Sequence, residues 1–541
     1  GKLNLIIQEA ELSSCLVNVE GQGDSVQSGI FLNSEHYAIV GVNLDNLQVL
    51  ETCLKRLRVE FNMPMVLLSE CSIVYMEEDK STQLLEWSHQ TFPNSVIVTY
   101  EQVVPGDAFG VFMCKHFRNL NTPIKSIDYY PDSSSQRQRY LNAGWQTCHV
   151  TDVTQFVSKY IPGEEIERLL QIESFDEFEE FYLKCWHYVI ICAGSGTVSD
   201  IPNHVFSKSE ILSEPSRLEL SYRALNVGVV RYGHGSALVG DTVVSIGGFG
   251  ETTGRHGLED LISCVSMTTG TTRTVKLEAS DTLKLARMYS SLVVLPDGDV
   301  LLLGGRLSPK VPLMDCVTFT MNNLENGGIP TARAVPIIGD APVPRWRHGT
   351  TILGKTIYLF GGRNGREVFG DFWTLNVDSW TWSLVSTTRG PSPRHSHAFA
   401  SPGKSDIYLC GGLSDSAQPL ADLWHYNISS LSWKNIDVIG FRHRFSFKMV
   451  CHNNMLLLLG GVGLQGHLGI GQINLDTLFY QEFSLPLADP ERPIMLHNHD
   501  VIKRNECLLI IGGGGNCFSF GTHFNKEFIE IQLNQFDCNV S

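Results

Sequence analysis

Paired glycines closing short apolar runs recur six times in the second half of this chain: Gly247-Gly248, Gly304-Gly305, Gly361-Gly362, Gly411-Gly412, Gly460-Gly461 and Gly512-Gly513. Successive first glycines lie 57, 57, 50, 49 and 52 residues apart, and a period of that size marks a chain built from repeated supersecondary units. Each unit has room for a four-stranded antiparallel sheet whose faces must be covered by its neighbours. Closing the units into a ring covers all of them, and glycine lets the inner strands crowd the centre. The expectation is an all-β six-bladed propeller over 229–541.

The text around the glycines is repetitive too. Arg231-Tyr232-Gly233-His234, Arg345-Trp346-Arg347-His348, Pro393-Arg394-His395-Ser396-His397 and Arg442-His443-Arg444 each lead into a strand, and Trp373, Trp382, Trp424 and Trp433 fall near the outer strands of the third and fourth units. On these residues the repeats resemble the Kelch family. Arg347, Arg394, Arg442 and Arg444 occupy similar positions, which allows two readings: a basic patch converging on one face, or structural arginines between blades. His497-Asn498-His499 has the look of a metal pair, but no third ligand lies near it in sequence, so structural hydrogen bonding and no metal are expected.

At 541 residues the chain exceeds what one core usually organises, so at least two domains are expected. Before the repeats, 1–200 read as an α/β domain and 201–228 as a linker. Tyr37 to Val42, Met65 to Glu70 and Ser95 to Tyr100 read as three parallel strands. Helices at Leu47, Leu50, Leu54 and Leu57 and at about Asp79 to Gln90 separate them. Trp145 to Asp152 and Trp186 to Ala193 read as an antiparallel ending of the same sheet. Leu3 to Leu12 reads as a helix, and Gly21-Gln22-Gly23 as a turn.

In open sheets of this kind ligands sit outside the carboxyl ends of the strands, which here carry Asn43-Leu44, Glu70 and Tyr100-Glu101-Gln102. A ligand crevice is one reading of these groups. The other makes Glu70 a capping or ion-paired acid, Asn43 the start of a turn and Tyr100 a packing residue. A nucleotide-binding domain should also show a glycine-rich loop after its first strand and a ribose-holding acid after the second, and neither is visible. The antiparallel ending is common in class I, Rossmann-like methyltransferases, and with the loop and acid missing the domain is expected to be the later part of such a fold, incomplete at its N-terminal side.

Bulk properties narrow the classes. The chain is 43% hydrophobic and 18% charged, with no unbroken apolar stretch near 18 residues, so no membrane partner is expected. Fourteen cysteines without a CxxC pair fit reduced thiols of the cytoplasm, or also the nucleus. A net charge of -16 offers no general basic surplus, so an RNA partner needs a local basic patch.

Gly41-Val42-Asn43-Leu44, Leu68-Ser69-Glu70-Cys71-Ser72-Ile73-Val74-Tyr75-Met76, Tyr100-Glu101-Gln102 and Asp107-Ala108-Phe109-Gly110 together resemble the leucine carboxyl methyltransferase family, over roughly 25–194. That resemblance implies S-adenosylmethionine as cofactor, with Asn43-Leu44 at the adenine and Glu70 at the cofactor. The family usually has aspartate where Asn43 stands, and an asparagine carbonyl can still accept from an adenine amino group. Tyr100 is the candidate for contacting the substrate carboxylate. A carboxylate is already an anionic nucleophile at neutral pH, so alignment and exclusion of water would carry the rate.

Fusion to a Kelch-like ring resembles the tRNA-modifying branch of that family. It implies methylation of a carboxylate on the wybutosine precursor in phenylalanine tRNA, then methoxycarbonylation of the side-chain amine with carbon dioxide as co-substrate. Protein partners on the propeller are a further expectation. Two rivals stand beside this: a carboxyl methyltransferase acting on a phosphatase C-terminus, and a non-catalytic scaffold.

Overall fold

The computed structural model describes residues 30–537 apart from short stretches at 34–36, 173–174, 209–217, 252–260, 277–282, 322–323, 325–327, 387–388 and 404. The expected helix at Leu3 to Leu12 and the turn at Gly21 to Gly23 lie outside the described residues. Two compact units result. One comprises 1–105, 117–153 and 188–212, the other 106–116, 154–187 and 213–541. No described helix is long and apolar enough to cross a membrane.

In the first unit the elements run β1 (Ile30–Asn33), β2 (Ala38–Val40), α1 (Leu47–Arg56), β3 (Met65–Glu70), α2 (Glu78–Thr91), β4 (Ser95–Gln102), then α3 (Ala108–Asn119), most of which belongs to the second unit. After it come α4 (Ser133–Asn142), β5 (Thr147–Asp152) and, following an excursion through the second unit, β6 (Tyr188–Gly194). Asp132 and Ser135 close a reciprocal capping box that starts α4. The sheet order is β3-β4-β6-β5, with β3 parallel to β4 and β6 antiparallel to both of its neighbours.

The expectation of three parallel strands is corrected here. Ala38–Val40 pairs antiparallel with Ile30–Asn33 and takes no part in the four-stranded sheet. Three residues sustain a local hairpin but too short a ladder to cover β3. One sheet face is packed: Leu67, Ile97, Val189 and Ile191 meet Leu84, Leu85 and Tyr140 from the helices. On the opposite face of β3, Val66 is 72% and Leu68 77% exposed, and Glu70 follows them on that face.

Among its described residues the second unit contains six sheets of four or five strands; four are antiparallel meanders taken in chain order, and the last two each add a strand from earlier in the chain, the one in the fifth pairing parallel. The second strands of the second, fifth and sixth sheets, Val300–Leu303, Met455–Leu459 and Cys507–Ile511, are apolar throughout and buried on both faces. The first strands of the six sheets neighbour one another in cyclic order, beginning at Gly235, Ser291, Gly349, Ala398, Lys448 and Asp500 and returning from the last to the first. The ring is closed by the chain that precedes it: Arg223–Ala224 pairs antiparallel with Ile529–Gln532 as the outer strand of the last sheet, and Leu218–Glu219 extends the fifth. The later part of the expected 201–228 linker is thus sheet, because an outer edge with unpaired backbone groups takes whatever strand reaches it.

The 1–200 boundary is also redrawn. Residues 106–116 and 154–187, with helices α5 (Val153–Tyr160), α6 (Gly163–Ile172) and α7 (Phe178–Trp186), group almost entirely with the ring. The reason is chemical: α7 carries the buried acids Glu179 and Glu180, and the ring supplies the buried Arg347 and His497 to meet them.

Candidate functional sites

Two places gather chemistry. In the first unit, Glu70 and Tyr100 stand opposite one another in the parallel register, so both side chains leave the carboxyl ends of β3 and β4 on the same, open face. The chain leaves β3 through Cys71, a non-glycine residue with a left-handed φ of 46°, whose N–H donates to Tyr100 O at 2.8 Å. Ser72 Oγ donates back to Glu70 O at 3.0 Å. This tight exit turn leaves Glu70 exposed at the end of its strand.

Tyr100 is half-buried and stacks on Tyr188, with ring centroids 5.0 Å apart. Gln102, on the same face, donates to the Tyr188 hydroxyl at 3.4 Å and to Cys71 Sγ at 3.6 Å. Asn43 is exposed, and its Oδ1 accepts from the Asp45 N–H at 3.1 Å, which is the turn role. Leu44 is half-buried against the core group that contains Ile73. Thus Glu70 and Tyr100 come together, while Asn43 serves a turn and Leu44 the core.

On the covered face lies a residue whose role sequence reasoning missed. Glu101 is fully buried, and burial pushes its carboxyl up to about 8 even though Arg139 and the backbone at Ile73 and Val74 oppose the shift. Arg139, 3% exposed, donates to Ser81 Oγ at 2.5 Å and lies 4.4 Å over the Tyr130 ring. The signal was strict alternation on β4, which sends Glu101 to the face opposite Tyr100.

In the second unit the recurring arginines are structural. Arg231, Arg287, Arg345, Arg394 and Arg444 each donate to the carbonyl of the first glycine of a pair, at 2.9, 3.0, 3.0, 3.1 and 2.9 Å. Arg287, Arg345 and Arg394 fork onto Asp315, Asp371 and Asp422, and Arg444 bonds Glu482 at 2.7 Å. Burial pushes the Asp371 carboxyl upward, but Arg345 and the Trp373 indole hold it below its ordinary value. The glycines permit this: a Cβ on Gly411, at φ 58°, would stand 2.3 Å from Arg444 O. A basic patch built of Arg394 and Arg444 is therefore ruled out by their burial, while Arg442 is half-buried.

Arg347 behaves differently. It forks onto Glu179 of α7, and Asp176 reaches Arg306 at 2.5 Å. Glu180 lies 3.4 Å from His497 Nε2, so this histidine faces an acid. Among the described residues no group of three or more His, Cys, Asp or Glu side chains is placed to hold a metal ion.

These features define the class: an α/β unit with polar residues at its strand ends, joined to a cyclic array of repeats. The repeats match the family model described as the KLHDC2/KLHL20/DRC7 Kelch-repeats domain over residues 233–461. Along nearly its whole length the chain is similar to tRNA wybutosine-synthesizing protein 4 of Rattus norvegicus, 34% identical over 94% of this chain and 78% of that protein. The protein of that name from Homo sapiens is also 34% identical at the same coverage, and the one from Candida albicans is 25% identical over 97% of this chain and 78% of its own. The chain belongs to the tRNA wybutosine-synthesizing protein 4 family.

Proposed function

We propose that this chain acts in wybutosine synthesis on phenylalanine tRNA, as an S-adenosylmethionine-dependent carboxyl methyltransferase and methoxycarbonyltransferase. The observation that carries the reading is 34% identity running through both units to relatives of that name. On this reading the sheet β3-β4-β6-β5 is the later part of a class I methyltransferase sheet, and the six cyclic sheets form a six-bladed propeller. Cytoplasmic or nuclear tRNA is the expected substrate pool.

The residues at the strand ends suit the cofactor. Glu70 offers an exposed carboxylate at the mouth of the parallel pair, and Leu44 adds an apolar wall nearby in the core. S-adenosylmethionine supplies an electrophilic methyl group when bound. Asn43 would approach the adenine only by giving up the turn bond to Asp45. Tyr100, stacked on Tyr188 and on the same sheet face as Glu70, would hold the accepting carboxylate by a hydrogen bond. No strong base is needed, because the accepting carboxylate is ionised near neutrality. The second step would take carbon dioxide as co-substrate at the side-chain amine. Propeller faces would then dock the tRNA or protein partners.

The test is calorimetry of S-adenosylmethionine with the native chain and with Glu70→Ala, followed by methylation assays offering either the tRNA precursor or a phosphatase C-terminal peptide. Binding lost in Glu70→Ala and turnover on the tRNA precursor alone are expected. Turnover on the peptide alone would replace the reading, and binding indifferent to Glu70 would remove the residue assignment.

A further inference from the structure

Gln102 closes β4 beside the end of β3 and is 1% exposed. Its amide nitrogen has two hydrogens, and each has a partner. One points at the Tyr188 hydroxyl at 3.4 Å, the other at Cys71 Sγ at 3.6 Å. Tyr188 stands directly across the β4–β6 ladder from Gln102, so this contact joins register partners on one face of the sheet.

Each recipient adjoins one of the two strand-end groups. Cys71 follows Glu70 in the chain, and its left-handed φ of 46°, with its N–H bond to Tyr100 O, sets the direction in which the backbone leaves β3. Tyr188 backs the Tyr100 ring, with the two planes 24° apart. Glu70 and Tyr100 are themselves paired in register. One side-chain amide therefore ties the turn beside the acid to the ring that supports the phenol.

Fold stability is a poor reason for an amide in this place. Gln102 Oε1 is buried with no hydrogen-bond partner among the described residues, a loss that a methionine of similar length would not carry. Both contacts of its nitrogen are long, so they add little to folding. What the planar amide supplies is direction, because it holds two groups from different segments at a fixed angle. A left-handed backbone at a residue other than glycine persists only where its surroundings over-determine it, and Cys71 is so held from Tyr100 O and from Gln102.

We propose that Gln102 is a positioning residue of the methyl-transfer site, fixing Glu70 through Cys71 and Tyr100 through Tyr188 so that the cofactor side and the substrate side keep a constant separation. This role presupposes that these strand ends are that site. Gln102 acts through its neighbours and contributes no group to the reaction.

Gln102→Met keeps the length of the side chain and removes the amide. Amide exchange on the full chain, without cofactor or substrate, should show Cys71 losing about fivefold in protection, while Thr147–Asp152 at the far edge of the sheet changes less than about twofold. Methylation of the tRNA precursor should fall about fivefold in kcat. Added to Tyr100→Phe, Gln102→Met should lower kcat no further, because its effect on the reaction runs through that phenol. Unchanged Cys71 protection, or a kcat loss that multiplies in full with that of Tyr100→Phe, would overturn the proposal. A native chain that methylates no tRNA precursor would remove the functional reading instead, and Cys71 exchange would still decide whether Gln102 holds the turn.

Discussion

Removing the Glu179 carboxylate should unlatch α7 from the ring. Glu179 and Arg347 have side chains only 1% and 5% exposed, and their attraction offsets a desolvation cost of several kcal/mol per ion. In Glu179→Gln, Arg347 keeps its bonds to Ser396 Oγ at 3.0 Å and Ser446 Oγ at 2.8 Å and its place over the Tyr289 ring, but its buried charge loses its counterion. Breaking one side of such a pair costs about 3–5 kcal/mol. A chain with two units is not a two-state folder, so the local readout is hydrogen exchange of the α7 amides, such as Tyr182 and Leu183. At about 1.4 kcal/mol per decade, their protection should fall roughly a hundredfold or more. The double variant Glu179→Leu with Arg347→Met should recover most of it, because it leaves no charge unpaired. Burial opposes ionisation of Glu179, but Arg347 and Ser446 win and hold its carboxyl below the ordinary value. Its stabilisation is therefore present above about pH 4.3, the unfolded value, and is lost as pH falls through the folded one. Protection unchanged within about threefold in Glu179→Gln would refute the reasoning and show a pair with no net worth.

Glu101→Gln should shift stability in a pH-dependent direction. The native carboxyl titrates at about 8, so its stabilisation is present below about pH 4.3, where the unfolded chain ionises, and is lost as pH rises toward 8. The variant lacks this loss, so its stability relative to the native chain should improve between about pH 5 and about pH 8; a pH-independent difference in the hydrogen-exchange protection factors of the Ser95–Gln102 amides would contradict the assignment. Arg394→Met should cost about 3 kcal/mol by stranding Asp422 and the Gly411 carbonyl, and Arg394→Lys less, since charge survives but the fork does not; equal losses of hydrogen-exchange protection in the strand Asp406–Cys410 would argue against the bidentate role. Tyr100→Phe should lower kcat for methyl transfer about tenfold with S-adenosylmethionine affinity unchanged; unaltered turnover would remove its substrate role.

What could be read from the sequence, and what could not, follows the range of each interaction. Met65–Glu70 as a strand and the six glycine pairs were legible because alternation and backbone freedom act within a few residues. Long-range pairings were not. Nothing local in Ala38–Val40 says that it turns back on Ile30–Asn33, and nothing in Arg223–Ala224 announces a partner some three hundred residues later. The arginines show the same division. Their repeat was visible, yet whether they form a patch or a frame depends on Asp315, Asp371 and Asp422, which lie 28, 26 and 28 residues further along. The internal role of these arginines bears on nucleic acid. In a chain of net charge -16, the most regular cations are committed to glycine carbonyls and carboxylates within the ring. A tRNA must therefore be met by exposed lysines and arginines outside this frame, and its affinity should survive Arg394→Lys wherever the fold does.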